Sequence, residues 1–280
     1  MAYFLAALIL GAIVFVHEYG HYMCARMTDT PMTRFSIGFG WRVFACSLRP
    51  FPLSVFPEQR YIFNWINFRG KENARIFFVN RFVTRTILST FCFLMGPILW
   101  EIRILPLGGF VDPVLSREKP KFFRDSLVIL GGPVANLLFS LFVLTLCRME
   151  GRDLEFVTAF QSSAESLLRM TQSMLPFLSH PFGASGELSG PVGIVTIGKA
   201  YVEHGWLQVG YFAATISFSL GFMNLLPISP LDGGQFLFIC IRTFFPTYGP
   251  RIERAVHVFG SVALLGLFIG ITVHDISRLF

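Results

Sequence analysis

Three stretches of this chain, 126–147, 205–231 and 255–273, contain no Asp, Glu, Lys or Arg, and a fourth, 1–25, contains only one. A helix needs about 20 mostly apolar residues to cross the hydrocarbon core of a bilayer. Four such runs in 280 residues leave too little polar surface to coat a soluble globule. The composition agrees: charged residues are 14% of the chain, against roughly 25% in ordinary globular domains, and mean hydropathy is +0.60. Disordered, collagen-like and disulfide-stapled secreted chains are excluded by the same figures. The five cysteines form no CxxC pair, and several lie in apolar runs, where Cys acts as a small hydrophobe. The first run is not read as a cleavable signal peptide, because no Lys or Arg precedes Arg26.

The chain is therefore expected to be an all-α polytopic membrane protein with about four transmembrane helices. Eighteen of its 23 Lys and Arg fall in segments 26–125 and 232–254. The positive-inside tendency puts both segments in the cytoplasm, segment 148–204 outside, and both termini outside. Topology and contact with the lipid bilayer explain the net charge of +6, and no motif supports nucleic-acid binding. Segment 26–125 is the least regular. Residues 35–40 and 102–110 read as short strands broken by turn residues, a small membrane-associated β element in this first cytoplasmic segment. Between them, 42–99 is rich in Phe and Arg, and the uncharged run Thr86–Trp100, interrupted by Gly96-Pro97, is too short to span and reads as interfacial or re-entrant. The whole chain, 1–280, is taken as a single membrane-embedded domain.

The end of the first run carries His17-Glu18-Tyr19-Gly20-His21, an HExxH pattern that this composition would produce by chance with a probability of roughly 0.005. Residues i and i+4 share a helix face, so both imidazoles can reach one metal ion, with Glu18 beside them as a general base. Ordinary hydrogen bonding at a membrane edge is the alternative. It must explain why three polar groups sit together where each ionisable one costs on the order of 2–4 kcal/mol. Catalytic zinc commonly takes three protein ligands and keeps one position open. Asp232 is the best third candidate. It closes a 27-residue uncharged run whose end, Asn224-Leu-Leu-Pro-Ile-Ser-Pro-Leu-Asp-Gly-Gly234, contains two prolines and two glycines that would unwind the helix. Capping of a following helix is the competing role for Asp232. His257 and His274 have no flanking motif, and His180 and His204 fall on the opposite side.

HEYGH in a first span and NLLPISPLDGG in a later one resemble the site-2 protease family of intramembrane zinc metalloproteases. FSIGFG (35–40), LPLGGF (105–110), GGPVANLL (131–138) and LSGPVGI (188–194) resemble more narrowly the bacterial branch that cleaves anti-sigma factors and leftover signal peptides. The resemblance implies one Zn2+ held by His17, His21 and Asp232, Glu18 as base, single-span membrane proteins as substrates and a bacterial cytoplasmic membrane as location. It leaves open whether a site-1 protease cuts the same substrate first. Asn136, behind Gly131-Gly132-Pro133, would bind an unwinding substrate or join two helices, and Asn224 would do the same or steady the broken helix end. The chain departs from the branch in two respects, one being that the Phe- and Arg-rich stretch between the two strand candidates is longer than the resemblance predicts. Residues 149–204 are too few for the PDZ domain of roughly 80–90 residues that such relatives carry. A catalytically silent scaffold of the same fold and, more remotely, a metal transporter are the competing functional readings.

Overall fold

The computed structural model describes residues 1–50, 61–66, 72–74, 99–115, 121–179, 190–245 and 250–277. They form two compact units, Met1–Thr28 with Leu115–Phe280, and Asp29–Val114. The division falls near the edges of the 26–125 segment that the charge pattern sets apart.

The larger unit is helical: α1 (Ala2–Met27), α2 (Phe122–Arg152), α3 (Phe156–Ser179), α4 (Pro191–Glu203), α5 (Trp206–Asn224), α6 (Asp232–Phe244) and α7 (Pro250–Ser277). Three of these are long and apolar enough to cross a membrane: Ala2–Met27, Phe122–Arg152 and, within α7, Glu253–Asp275. The expected third span, 205–231, is helical only from Trp206 to Asn224; Leu225–Leu231 is unwound, as its prolines dictate, and α6 begins at Asp232. Two further helices occupy the 148–204 segment. Its SGPVGI stretch opens α4, with Pro191 at the first helical position.

Small residues let these helices approach closely. A Cβ on Gly131 would lie 2.7 Å from the Gly20 carbonyl and 2.7 Å from Cys24 Sγ, so α1 and α2 touch backbone to backbone. Against the other side of α2, α5 is fastened by Ser140 Oγ donating to the Ala214 carbonyl (2.8 Å) and Ser217 Oγ donating to the Asn136 carbonyl (3.0 Å). Helix α1 buries Ala6, Leu10, Ile13, His17, Gly20 and His21, a stripe at spacings of three and four, while Tyr3, Phe4 and Leu8 face outward. An apolar exterior of this kind suits acyl chains rather than water. Helix α7 is the most outward-facing of all, yet the rest of the unit holds it at several points. Gly260 lies against the Ser229 carbonyl of the unwound stretch, and Asp275 Oδ2 accepts the Gly193 N–H at 2.8 Å, capping α4.

The smaller unit contains β1 (Met32–Pro50), β2 (Tyr61–Ile66), β3 (Glu72–Ala74) and β4 (Leu99–Pro113), in the sheet order β3-β2-β1-β4. Neighbours are antiparallel, with Leu48 opposite Phe63 and Asn64 opposite Ala74. The two expected strands fall within β1 and β4 and prove longer than their sequence signals. Register slips repeatedly between Met32 and Phe44, and Ser36 stands beside both Phe110 and Glu101. The run Thr86–Trp100 lies, apart from its last two residues, outside the described residues. The class is thus the expected one: a helical polytopic chain with a small β element.

Candidate metal centre

Two helices and one unwound joint build the site. On α1, His17 and His21 are one turn apart, with ring centroids 4.8 Å from each other and planes at 84°. Facing them, α2 offers a row at four-residue spacing, Val128, Gly132 and Asn136, that follows one helix face. Gly132 is the gap in this row: a Cβ there would collide with the His21 ring, lying 2.7 Å from both Cδ2 and Cε1. Pro133 has no N–H to donate to the Ile129 carbonyl, and its ring crowds that turn of the helix. In this loosened turn the Val128 carbonyl lies 2.8 Å from His21 Nδ1 and accepts its proton. The His21 Nε2 lone pair is thereby left facing inward.

Asp232 comes from the other direction. It is the first residue of α6, where a carboxylate meets the positive end of the helix dipole. The joint before it is tightly folded. A Cβ on Gly233 would overlap the Leu225 and Leu226 carbonyls, and one on Gly234 would lie 2.6 Å from Ser229 N. Only glycine at both positions lets the helix start against its own approach strand.

The three side chains converge. Asp232 Oδ2 lies 3.0 Å from His17 Nε2 and 3.3 Å from His21 Nε2, and the two Nε2 atoms are 3.2 Å apart. Donor atoms about 2.0–2.1 Å from one tetrahedral ion stand about 3.3 Å from each other, so this triangle fits zinc and leaves a fourth direction open. All three residues are buried. Among the described residues they are the group of His, Cys, Asp and Glu able to hold a metal.

Glu18 is also buried, next in sequence to His17. Asn136 is wholly buried, and its amide lies 3.3 Å from His17 Nδ1; that contact, rather than an open groove, is its observed surrounding. Asn224 ends α5, half-buried, and donates to the Leu220 carbonyl of its own helix at 3.0 Å. His257 and His204 stay outside the cluster: His257 Nδ1 lies 3.3 Å from Ser261 Oγ, and His204 Nδ1 bonds the Ala200 carbonyl. His180 lies outside the described residues. Sequence reasoning did not single out Val128 or Gly132. Counting back from Asn136 in fours would have reached both, since GGP marks the turn where α2 is loosened.

The sequence profile of the family described as peptidase family M50 matches residues 5–52 and 82–268, which include all three converging side chains. The chain is 26% identical to "Putative zinc metalloprotease FN1322" of Fusobacterium nucleatum over 353 aligned positions that cover 100% of both proteins. It is 37% identical over 128 residues to the regulator of sigma-W protease RasP of Bacillus subtilis, covering 44% of this chain and 30% of that one. With the zinc metalloprotease RasP of Shouchella clausii it shares 33% over 132 residues, 46% of this chain and 32% of the other. The chain thus spans the whole of the first relative and about a third of each RasP. Its helices long enough for a bilayer, its buried His-His-Asp triangle and its match to the family over most of its length lead to one conclusion: the chain belongs to peptidase family M50, the site-2 protease family of membrane zinc metalloproteases.

Proposed function

We propose that this protein is an intramembrane endopeptidase that hydrolyses a peptide bond within or near the transmembrane segment of a single-span membrane protein. Its substrates would be of the anti-sigma-factor or leftover-signal-peptide kind, in a bacterial cytoplasmic membrane. The observation that carries this reading is the convergence of His17, His21 and Asp232 to 3.0–3.3 Å inside a bundle of apolar helices. The whole chain would act as one protease domain, with both termini outside and the Asn224 amide close to the path of the substrate.

A peptide bond in a transmembrane helix is shielded twice, by distance from water and by its own helical hydrogen bond. His17, His21 and Asp232 would hold a zinc ion, which would supply Lewis acidity at the scissile carbonyl and make water a competent nucleophile near neutral pH. Glu18 takes the proton from the attacking water and delivers it to the departing amide nitrogen, so that no charge is left stranded in an apolar site. Asn224 stands eight residues before Asp232, at the turn where α5 gives way to unwound chain, and offers its amide to substrate backbone as that backbone loses helical bonds.

The test is cleavage of a single-span substrate in reconstituted membranes by wild type and by E18Q, with zinc content measured on both. Cleavage within the span that falls by about 10²–10⁴-fold in E18Q at equal zinc supports the assignment. Equal cleavage by the two would remove Glu18 as base, and zinc bound without any cleavage by wild type would favour a silent scaffold.

A further inference from the structure

The two histidines are held by different means. His21 Nδ1 has a backbone carbonyl, Val128 O, at 2.8 Å, so its proton and ring direction are fixed by the main chain. His17 Nδ1 faces Asn136 at 3.3 Å, four residues on from Gly132 and eight from Val128. Asn136 is 0% exposed, and its Oδ1 is buried with no hydrogen-bond partner. Its own carbonyl is occupied by Ser217 Oγ, which keeps this turn of α2 tight against α5.

An amide carries a donor and an acceptor on the same planar end, and a half-turn exchanges them. With Nδ2 toward the ring, His17 Nδ1 is an acceptor and the ring proton must sit on Nε2, the atom that points at Asp232 and His21. With Oδ1 toward the ring, Nδ1–H is the donor and the Nε2 lone pair is released inward, as it already is for His21. Ligation through Nε2 requires the second arrangement, since ligating histidines hold their other ring proton on a carboxylate or carbonyl oxygen.

We propose that Asn136 is a positioning residue for His17. Its Oδ1 accepts the Nδ1 proton, selects the tautomer that leaves Nε2 free to bind metal, and holds the ring plane, as the Val128 carbonyl does for His21. The inference rests on His17 being a zinc ligand, and it differs from a role for Asn136 in gripping substrate. The row Val128, Gly132, Asn136 then acts as a unit: a carbonyl for one ring, a gap for that ring to lie in, and an amide for the next ring one turn away.

Asn136→Ala removes the acceptor, and Asn136→Asp keeps an acceptor while removing the donor. The readouts are the zinc dissociation constant of the full-length protein in detergent, by competition with a chromophoric chelator, and the d–d spectrum of the cobalt-substituted protein. The expected order is wild type and N136D within about threefold of each other, and N136A weaker by about 10–100-fold with an altered cobalt spectrum. Helical circular dichroism verifies folding, and Asn136→Leu, of similar volume, replaces N136A if the latter does not fold. Unchanged zinc affinity in N136A or N136L overturns the proposal, as does equal loss in N136A and N136D. A rise in KM alone at unchanged zinc affinity also overturns it and assigns Asn136 to the substrate. Failure of the wild type to bind zinc would instead defeat the reading of the site on which the proposal stands.

Discussion

Gly132→Ala is the sharpest probe of how α2 shapes the metal centre, because its effects on the helix and on the site have opposite signs. In a helix interior Ala is preferred to Gly by about 0.8–1.0 kcal/mol, so the change favours α2 as a helix. The new methyl, however, would stand 2.7 Å from both Cδ2 and Cε1 of His21, where ordinary contact begins at 3.4 Å. The ring must therefore retreat by at least roughly 0.7 Å, and by more at Nε2, the ring atom nearest the new methyl, which also strains its 2.8 Å bond to the Val128 carbonyl. Metal–ligand distances hold to about ±0.2 Å, so a shift of this size takes Nε2 out of reach of an ion shared with His17 and Asp232. The loss should at least match the 10–100-fold that loosening an outer partner costs, about 1.4–2.8 kcal/mol of zinc binding. Chelator competition measures the affinity, a thermal melt of the detergent-solubilised protein measures the fold, and cleavage of a single-span substrate measures turnover. G132A that melts no lower than wild type while binding zinc at least tenfold more weakly bears out the reasoning. Wild-type zinc affinity with full turnover would refute it, since the methyl would then have found room that the structure does not show.

Two other substitutions separate packing from chemistry. Gly131→Ala drives a methyl into the Gly20 carbonyl and Cys24 Sγ, 2.7 Å from each, and should destabilise the α1–α2 crossing by about 1–3 kcal/mol in a denaturation series. An unchanged midpoint would mean that the two helices are not in backbone contact. Asn224→Leu breaks only the 3.0 Å bond to the Leu220 carbonyl within α5, worth about 0.5–1.5 kcal/mol. If Asn224 also holds substrate backbone, kcat/KM should fall by tenfold or more at unchanged zinc affinity; a variant that loses stability but not turnover would leave it a helix-end brace.

The sequence was most readable where a local rule has a global consequence. HEYGH places His17 and His21 on one face through helical periodicity alone, and apolar run length finds α1, α2 and α7. Asp232 was found because two prolines and two glycines at the end of a span demand a reason, and the structure supplies one in the folded joint before α6. Less readable were features that depend on which helix lies beside which. Val128 enters the site only through its carbonyl, which carries no side-chain signature. Gly132 matters only because His21 comes to lie over it; the four-residue row and the GGP turn mark the position within α2 but not the ring that fills it. Helix α3, with its Glu165–Arg169 pair and exposed Phe156 and Phe160, mixes charge into an apolar face, so no uncharged run marked it out.

The same geometry explains why glycine and proline crowd this part of the chain. A metal centre between helices needs donors from two directions within 3.0–3.3 Å, while ordinary helix axes pack 8–10 Å apart. Gly20 and Gly131 bring α1 and α2 into backbone contact, close enough for an imidazole on one to bond a carbonyl on the other. The third donor arrives on a helix terminus, where the unwound stretch Leu225–Leu231 lets Asp232 enter end-on instead of from a parallel side. A helix continued to residue 231 would carry its side chains past the site at the usual spacing, and the carboxylate would have to reach across it. If the three side chains bind zinc as proposed, the break in α5 is a geometric requirement of that centre. A chain that straightened this joint, by Pro227→Ala with Pro230→Ala, should lose zinc affinity although no donor atom has been removed; wild-type affinity in that double variant would show that end-on entry is not what positions Asp232.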